Sequence, residues 1–311
     1  MSLSPPLTAT LQRQHYIGRF APSPTGSLHY GSLLTAVASY LEARSHHGEW
    51  HLRIEDLDPP REVPGSADSI RRTLNHFGLV WDGEVIYQSQ RHDAYQQALQ
   101  QLIDAGHCYR CRCSRREIAS RAPQLATGDY DNWCRDGGGA SGHAWRLRCE
   151  GAITFIDQRQ GRCHQQPGAE GDFVIRRADG LFAYQLAVVV DDAASGVTDI
   201  VRGADLLPLT GRQILLQHSL GVATPRYLHL PLVVDASGQK LSKQRHAPPL
   251  LDTNPVPPLV TILQLLGQRP PATLQRATLA TVWDWAHHHW TIETLPTAAT
   301  LPLLTPKIEV A

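Results

Sequence analysis

The stretch from Tyr16 to Ser32 reads Tyr-Ile-Gly-Arg-Phe-Ala-Pro-Ser-Pro-Thr-Gly-Ser-Leu-His-Tyr-Gly-Ser, and its order allows few folds. The apolar run Tyr16, Ile17 and Phe20 predicts a buried strand. Pro22, Pro24 and Gly26 break it, and a helical pattern starts near Gly31. A strand, a Pro/Gly loop and a helix start make an anion site, because unpaired N–H groups and the positive end of the helix dipole face the loop. His29 and Ser32 stand there as additional donors. An ordinary strand-to-helix turn has the same outline.

The alternation continues beyond this unit. Leu33, Leu34, Val37 and Leu41 mark one face of a helix running to about Arg44, and Trp50 to Ile54 alternates like a strand that ends at Glu55. Ile70, Leu74 and Phe77 line a second helix, and Tyr95, Leu99, Leu102 and Ile103 a third. Strands alternating with helices predict an α/β fold with a parallel sheet, whose ligands bind beyond the carboxyl ends of the strands. Glu55 stands at such an end.

The rhythm breaks at Gly106. Of six cysteines, Cys108, Cys111, Cys113 and Cys134 fall in one short stretch, while Cys149 and Cys163 follow alone. In a chain without a secretory leader this pattern suggests a metal before a disulfide. Cys111, Cys113 and Cys134 belong to any ligand set; Cys108, in Cys-x-x-Cys with Cys111, is one candidate for the fourth. Arg110, Arg112, Arg115, Arg116 and Arg121 crowd the same stretch and are candidates for RNA phosphate contact. Strands resume at residues 145–149, 153–157 and 173–177. The run 181–192, with Val188-Val189-Val190, reads as a buried helix or strand. On periodicity alone, Tyr184 reads as a core tyrosine and Arg202 as a salt-bridged arginine. The last part is helical and punctuated by proline, and His287-His288-His289 there reads as a surface cluster, since neighbours on a helix point apart.

Lys plus Arg and Asp plus Glu each number 29, so a nucleic acid would have to be met by a local basic patch rather than by the net field. Hydrophobic residues make up 42%, enough for a large core, yet no run approaches the roughly 20 apolar residues of a membrane span. The N-terminus lacks the charged-then-apolar layout of a signal peptide, which points to a cytoplasmic protein with no membrane partner. A second loop, Gly238-Gln239-Lys240-Leu241-Ser242-Lys243-Gln244, carries two lysines three apart. Taken singly, it is a solvated surface loop.

Taken in order, His29-Tyr30-Gly31-Ser32 and Lys240-Leu241-Ser242-Lys243-Gln244 resemble the HIGH and KMSKS signatures of the class I aminoacyl-tRNA synthetases. Arg-Phe-Ala-Pro-Ser-Pro-Thr-Gly, from Arg19, resembles the glutamyl subgroup in particular, and the likeness runs over nearly all of residues 15–246. It implies a Rossmann-like parallel-sheet catalytic domain in two halves, 1–105 and 145–225, with a zinc-binding insert at 106–144. Residues 226–311 would hold the lysine loop and a short helical region, with no anticodon-binding domain.

The resemblance also implies roles. Arg19, Phe20, Ala21, Pro22, Ser23, Glu55, Tyr184 and Arg202 would bind L-glutamate, with Arg19 forked onto one carboxylate, Glu55 on the α-ammonium, and Tyr184 and Arg202 completing the pocket. His29, Gly31, Ser32 and Lys243 would bind ATP, which arrives with Mg²⁺, and His29, Lys240 and Lys243 would be catalytic. Ser32 replaces the second histidine of the HIGH pattern, which implies a weaker phosphate contact. In the shortened, glutamyl-queuosine branch of the family, Cys-x-Cys and Tyr-x-x-x-Cys hold one structural Zn²⁺, which carries over to Cys111, Cys113, Tyr130 and Cys134. After Gln244 the chain runs only to Ala311, short of the helical region with which glutamyl-tRNA synthetases grip an anticodon. The expectation is therefore a monomer that transfers glutamate to the queuosine base of tRNA(Asp). A small glutamyl-tRNA synthetase charging the 3′ end and a non-catalytic zinc-bearing RNA-binding relative are the alternatives.

Overall fold

The computed structural model describes residues 15–126, 129–137, 139, 141–235 and 250–303. Lys240 and Lys243 lie outside the described residues.

Strand β1 (Ile17–Phe20) leads through the Pro/Gly loop into helix α1 (Tyr30–Ser45), which returns the chain to β2 (Glu49–Ile54). β1 and β2 are parallel, with Ile17 opposite Glu49 and Phe20 opposite Leu52. Leu33, Leu34, Val37 and Leu41 of α1 are buried on the sheet, as their spacing predicts. The return is tight: a Cβ on Gly48 would come within 2.3 Å of the Tyr16 carbonyl oxygen. Helix α2 (Ser66–His76) leads to β3 (Ile86–Tyr87), which lies parallel to β2, and α3 (His92–Asp104) follows.

Next come β4 (Cys108–Cys111), α4 (Arg115–Arg121), β5 (Ala144–Leu147), β6 (Ile153–Asp157), β7 (Gly161–Gln165), α5 (Pro167–Glu170) and β8 (Val174–Arg176). β4, β5 and β8 form an antiparallel sheet of their own, while β6 and β7 form a hairpin. The segment open between helix and strand is helix α6 (Tyr184–Ala194). It is buried nearly all round, so the sequence showed no one-sided stripe to decide the matter. After it come β9 (Asp199–Gly203), α7 (Thr210–Leu220), β10 (Arg226–Leu230) and β11 (Leu232–Val234). Helices α8 (Val256–Leu265) and α9 (Leu279–His289) and strand β12 (Thr300–Pro302) complete the described chain.

β10 pairs in parallel with β9 on one side and β6 on the other. The two parallel ladders meet where Thr198 N–H donates to the Ile17 carbonyl and Ile17 N–H to Thr198 Oγ1, both at 2.9 Å. The strand order is thus β3-β2-β1-β9-β10-β6, and the winding reverses between β1 and β9. A doubly wound sheet opens its binding crevice at that reversal.

Two cores flank the sheet. One joins α1 and Trp50 to α8 and α9, where Trp283 Nε1–H donates to the Phe77 carbonyl at 2.8 Å. The other packs α3, α6 and α7 against the antiparallel sheet. His287, His288 and His289 are exposed on α9. No helix among the described residues is long and apolar enough to cross a membrane.

Candidate active site and metal centre

The crevice is a cavity of about 920 Å³ at the carboxyl ends of β1, β2 and β9. Its wall includes Arg19, Phe20, Ala21, Pro22, Ser23, His29, Gly31, Ser32, Glu55, Tyr184 and Arg202. The fold thus brings together every described residue that the sequence assigned to glutamate or ATP.

The two arginines differ in their surroundings. Arg19 is buried and forked onto Asp192, with Nε–H donating to Oδ1 at 3.0 Å and Nη2–H to Oδ2 at 3.2 Å. Arg53 donates to the same Oδ1 at 2.6 Å and to Glu55 at 3.2 Å. Burial raises Asp192, but Arg19 and Arg53 outweigh it and hold the carboxyl below its usual range. Burial lifts Glu55 above its usual value, against the pull of Arg53 and Arg19. It also pushes the Tyr184 phenol up to about 12.

Arg202 instead donates to neutral groups: His229 Nε2 at 3.0 Å, Gln213 Oε1 at 2.7 Å and Thr210 Oγ1 at 2.9 Å. No carboxylate among the described residues lies within 4.0 Å of it. Its Nη2 donates to the Leu206 carbonyl as well, at 3.5 Å. A buried guanidinium with no carboxylate partner is costly, and an incoming carboxylate would relieve that cost through its charge and the remaining Nη1–H.

Asp191, Asp192, Arg53, Gln213, Thr210, His229 and Asp157 were not found from the sequence. A usable signal existed for two of them: Asp191-Asp192 interrupts an apolar helical run, and buried carboxylates are almost never unpaired. Asp191 accepts from Gln88, Arg91 and Tyr95 and so ties α3 to the back of the site.

His29 caps α1. Its Nδ1 accepts from Gly31 N–H at 3.1 Å and Ser32 N–H at 3.3 Å. Nδ1 therefore carries the lone pair and Nε2 the proton, with Ser32 Oγ 3.2 Å from Nε2. The helix-start amides expected to hold phosphate are thus taken by His29 itself. With Nε2–H set against Ser32 Oγ, the motif faces an anion through the His29–Ser32 pair.

The cysteine stretch closes on itself beside α4. The sulfurs of Cys111, Cys113 and Cys134 lie within 4.8 Å of one another, and the Tyr130 hydroxyl is 3.5 Å from Cys111 Sγ and 3.6 Å from Cys113 Sγ. Cys113 and Cys134 sulfurs are 3.5 Å apart. Tetrahedral zinc with Zn–S bonds of about 2.3 Å needs ligand–ligand edges of about 3.8 Å, close to this spacing. Cys108 is not in the group. Three residues from Cys111 on one strand, it faces the opposite side and packs with the α3 core. Arg146 Nε–H and Arg121 Nη2–H donate to Cys111 and Cys113 sulfurs, each at 3.2 Å, which suits thiolate ligands. The set of three cysteines and a tyrosine therefore fits a zinc ion. Of the insert arginines, Arg110, Arg112, Arg115, Arg116 and Arg121 are all exposed, but Arg121 is committed to Asp131 and Cys113.

Residues 17–272 match the family described as tRNA synthetases class I (E and Q), catalytic domain. A glutamyl-Q tRNA(Asp) synthetase of Aromatoleum aromaticum is 54% identical over 285 residues, covering 90% of each chain. Another, from Dechloromonas aromatica, is 53% identical and covers 90% of this chain and 96% of its own. Among solved structures, a glutamate tRNA ligase of Elizabethkingia meningosepticum in complex with its amino acid matches with a TM-score of 0.78 at 24% identity. That match covers 92% of this chain and 66% of the ligase, and it bears on the fold alone. The family match over residues 17–272 and relatives more than half identical over nine-tenths of the chain show that it belongs to the class I tRNA synthetases of the E and Q type and, within them, to the glutamyl-Q tRNA(Asp) synthetases.

Proposed function

We propose that the protein activates L-glutamate with ATP and transfers the glutamyl group to the queuosine base at the wobble position of tRNA(Asp), as a monomer in the cytoplasm. The observation that carries the reading is the crevice itself: Arg202, buried and without a carboxylate partner among the described residues, lines one cavity with Glu55 and the His29 cap. In this reading an α-carboxylate oxygen of glutamate attacks the α-phosphorus of ATP, and the bond to the pyrophosphate oxygen breaks. The α-carboxylate loses its charge on forming the mixed anhydride, whereas the side-chain carboxylate keeps its own throughout. Arg202 suits the persistent charge, and a guanidinium, which is cationic and donor-only, favours that carboxylate over the neutral amide of glutamine. Glu55 accepts from the α-ammonium, with Arg19 and Tyr184 completing the pocket.

Charge gathers on the phosphoryl oxygens, so this step needs fixed donors more than an acid–base pair. His29 Nε2–H supplies one, and Lys240 and Lys243 would supply cations. Mg²⁺ accompanies ATP as part of the substrate. In the second step, a hydroxyl of the acceptor base attacks the glutamyl carbonyl and AMP leaves.

A neighbouring cavity of about 1140 Å³ shares Ser23, Glu55, Arg61 and Tyr184 with the crevice and is walled further by Arg115 and Ile118. It gives an unstacked base a route to the activated glutamate. Cys111, Cys113, Tyr130 and Cys134 would hold the zinc, whose role is to cross-link the stretch that carries α4.

The test is transfer of labelled glutamate to two matched tRNA pools, one with queuosine and one from cells unable to make it. Label only in the queuosine pool supports the reading. Equal label in both means 3′-end charging, and no ATP–pyrophosphate exchange with glutamate would leave a binding protein.

A further inference from the structure

Arg202, His229 and Asp157 stand on the adjacent parallel strands β9, β10 and β6. The register places Arg202 opposite His229, and Asp157 opposite Tyr227, whose ring stacks on His229 at 5.9 Å. Arg202 Nε–H points at His229 Nε2 from 3.0 Å, and His229 Nδ1 lies 2.6 Å from Asp157 Oδ2. A guanidinium has only hydrogens to give, so His229 Nε2 must present its lone pair. The imidazole proton then sits on Nδ1 and is donated to Asp157. The other carboxylate oxygen, Oδ1, accepts Arg159 N–H at 3.0 Å and Gln160 N–H at 2.8 Å, which ties Asp157, the last residue of β6, to the turn that follows. His229 and Asp157 are essentially inaccessible, at 0% and 1% exposure, so this order is not averaged by water.

We propose that Asp157 and His229 form a tautomer lock that positions Arg202 for the carboxylate of the amino-acid substrate. The inference rests on the reading that Arg202 receives that carboxylate. Its logic is visible in the contrast with Arg19, which a carboxylate grips directly. A carboxylate placed directly on Arg202 would compete with the substrate for the same charge. With an imidazole between them, Asp157 fixes the direction of the guanidinium and strengthens Nε2 as an acceptor. Among the described residues the cation has no carboxylate partner, and it is held oriented for a ligand. His229 and Asp157 are positioning residues and touch no substrate.

Asp157→Asn tests the lock with little change of shape. The amide oxygen can still accept the two turn N–H groups, but its NH₂ now faces His229 Nδ1 and demands a lone pair there. The imidazole proton must move to Nε2, against the Arg202 Nε–H. In ATP–pyrophosphate exchange the expected result is a rise in glutamate KM of about 10- to 100-fold, the scale of one charge-assisted hydrogen bond, with the ATP KM unchanged. Nitrogen-15 NMR should find the His229 proton on Nδ1 in the parent and on Nε2 in the variant. A parent proton on Nε2, or a flipped tautomer with unchanged glutamate KM, overturns the lock.

If Asp157→Asn does not fold, His229→Gln and His229→Leu make the comparison, since glutamine can both donate and accept. Glutamate KM near the parent value in the first and raised in the second is expected; equal values in both overturn the lock. Arg202→Leu in the same assay separates the two levels of the argument. An unmoved glutamate KM there refutes the role of Arg202 itself, whereas a raised KM there with an unmoved value in Asp157→Asn refutes only the lock.

Discussion

Asp192 grips Arg19 through both carboxylate oxygens, at 3.0 and 3.2 Å, in a site where both side chains are buried. Because Arg53 shares Oδ1, one carboxylate on α6 fixes the ends of β1 and β2 together. Replacing Asp192 with alanine leaves two buried guanidiniums without this partner, and stability should fall by about 3–5 kcal/mol in urea denaturation. The loss should depend on pH. Asp192 is held below its ordinary value of 3.8, so its contribution is fully present above that pH and fades as pH falls through the lowered folded value. Parent and variant should therefore converge in strongly acidic solution; a gap that stays constant to pH 2–3 would show that the carboxylate charge is not what stabilises the fold.

The strand–loop–helix start, the first helices and the cysteine group were legible because each has a short-range signature: proline and glycine breaks, a one-sided apolar stripe, cysteine spacing. Helix α6 was not, since burial on all sides erases periodicity, and the polar network behind the site was missed for a related reason. Asp192 meets Arg19 across 173 positions and His229 meets Asp157 across 72, separations that no local pattern encodes. The resemblance named Arg19 and Arg202 together, but only the fold shows that, among the described residues, a carboxylate grips one and not the other.

The two candidate ligand sets for the metal give opposite outcomes for two cysteines. Cys113→Ser should lower bound zinc, measured by metal analysis of the purified protein, and leave glutamate-dependent pyrophosphate exchange largely intact, since Cys113 does not line the crevice. Cys108→Ser should retain the full metal content, because its thiol faces the α3 core. Loss of zinc in Cys108→Ser with retention in Cys113→Ser would reverse the ligand assignment.

Lys243 lies in the second signature, outside the described residues, and its expected role comes from the motif. If it closes over the pyrophosphate as charge moves there, Lys243→Ala should slow adenylate formation by about 10²–10³-fold, the scale of losing one transition-state donor. Pre-steady-state formation of glutamyl-adenylate measures this directly. An unchanged rate would remove the loop from the chemical step.

His29 serves as cap and as candidate phosphate donor, and the two duties can be separated. Its Nδ1 satisfies the Gly31 and Ser32 amides, which an asparagine side-chain oxygen can also do at a helix N-cap. His29→Asn should therefore keep the parent melting temperature while losing the Nε2–H, and its exchange rate should fall by about 10²–10³-fold. His29→Ala loses both, so it should show the same rate defect and, in addition, about 1 kcal/mol less stability. Thermal denaturation beside pyrophosphate exchange distinguishes the duties. An asparagine variant with parental activity would mean that His29 only caps α1, and that the phosphates are met from elsewhere in the crevice.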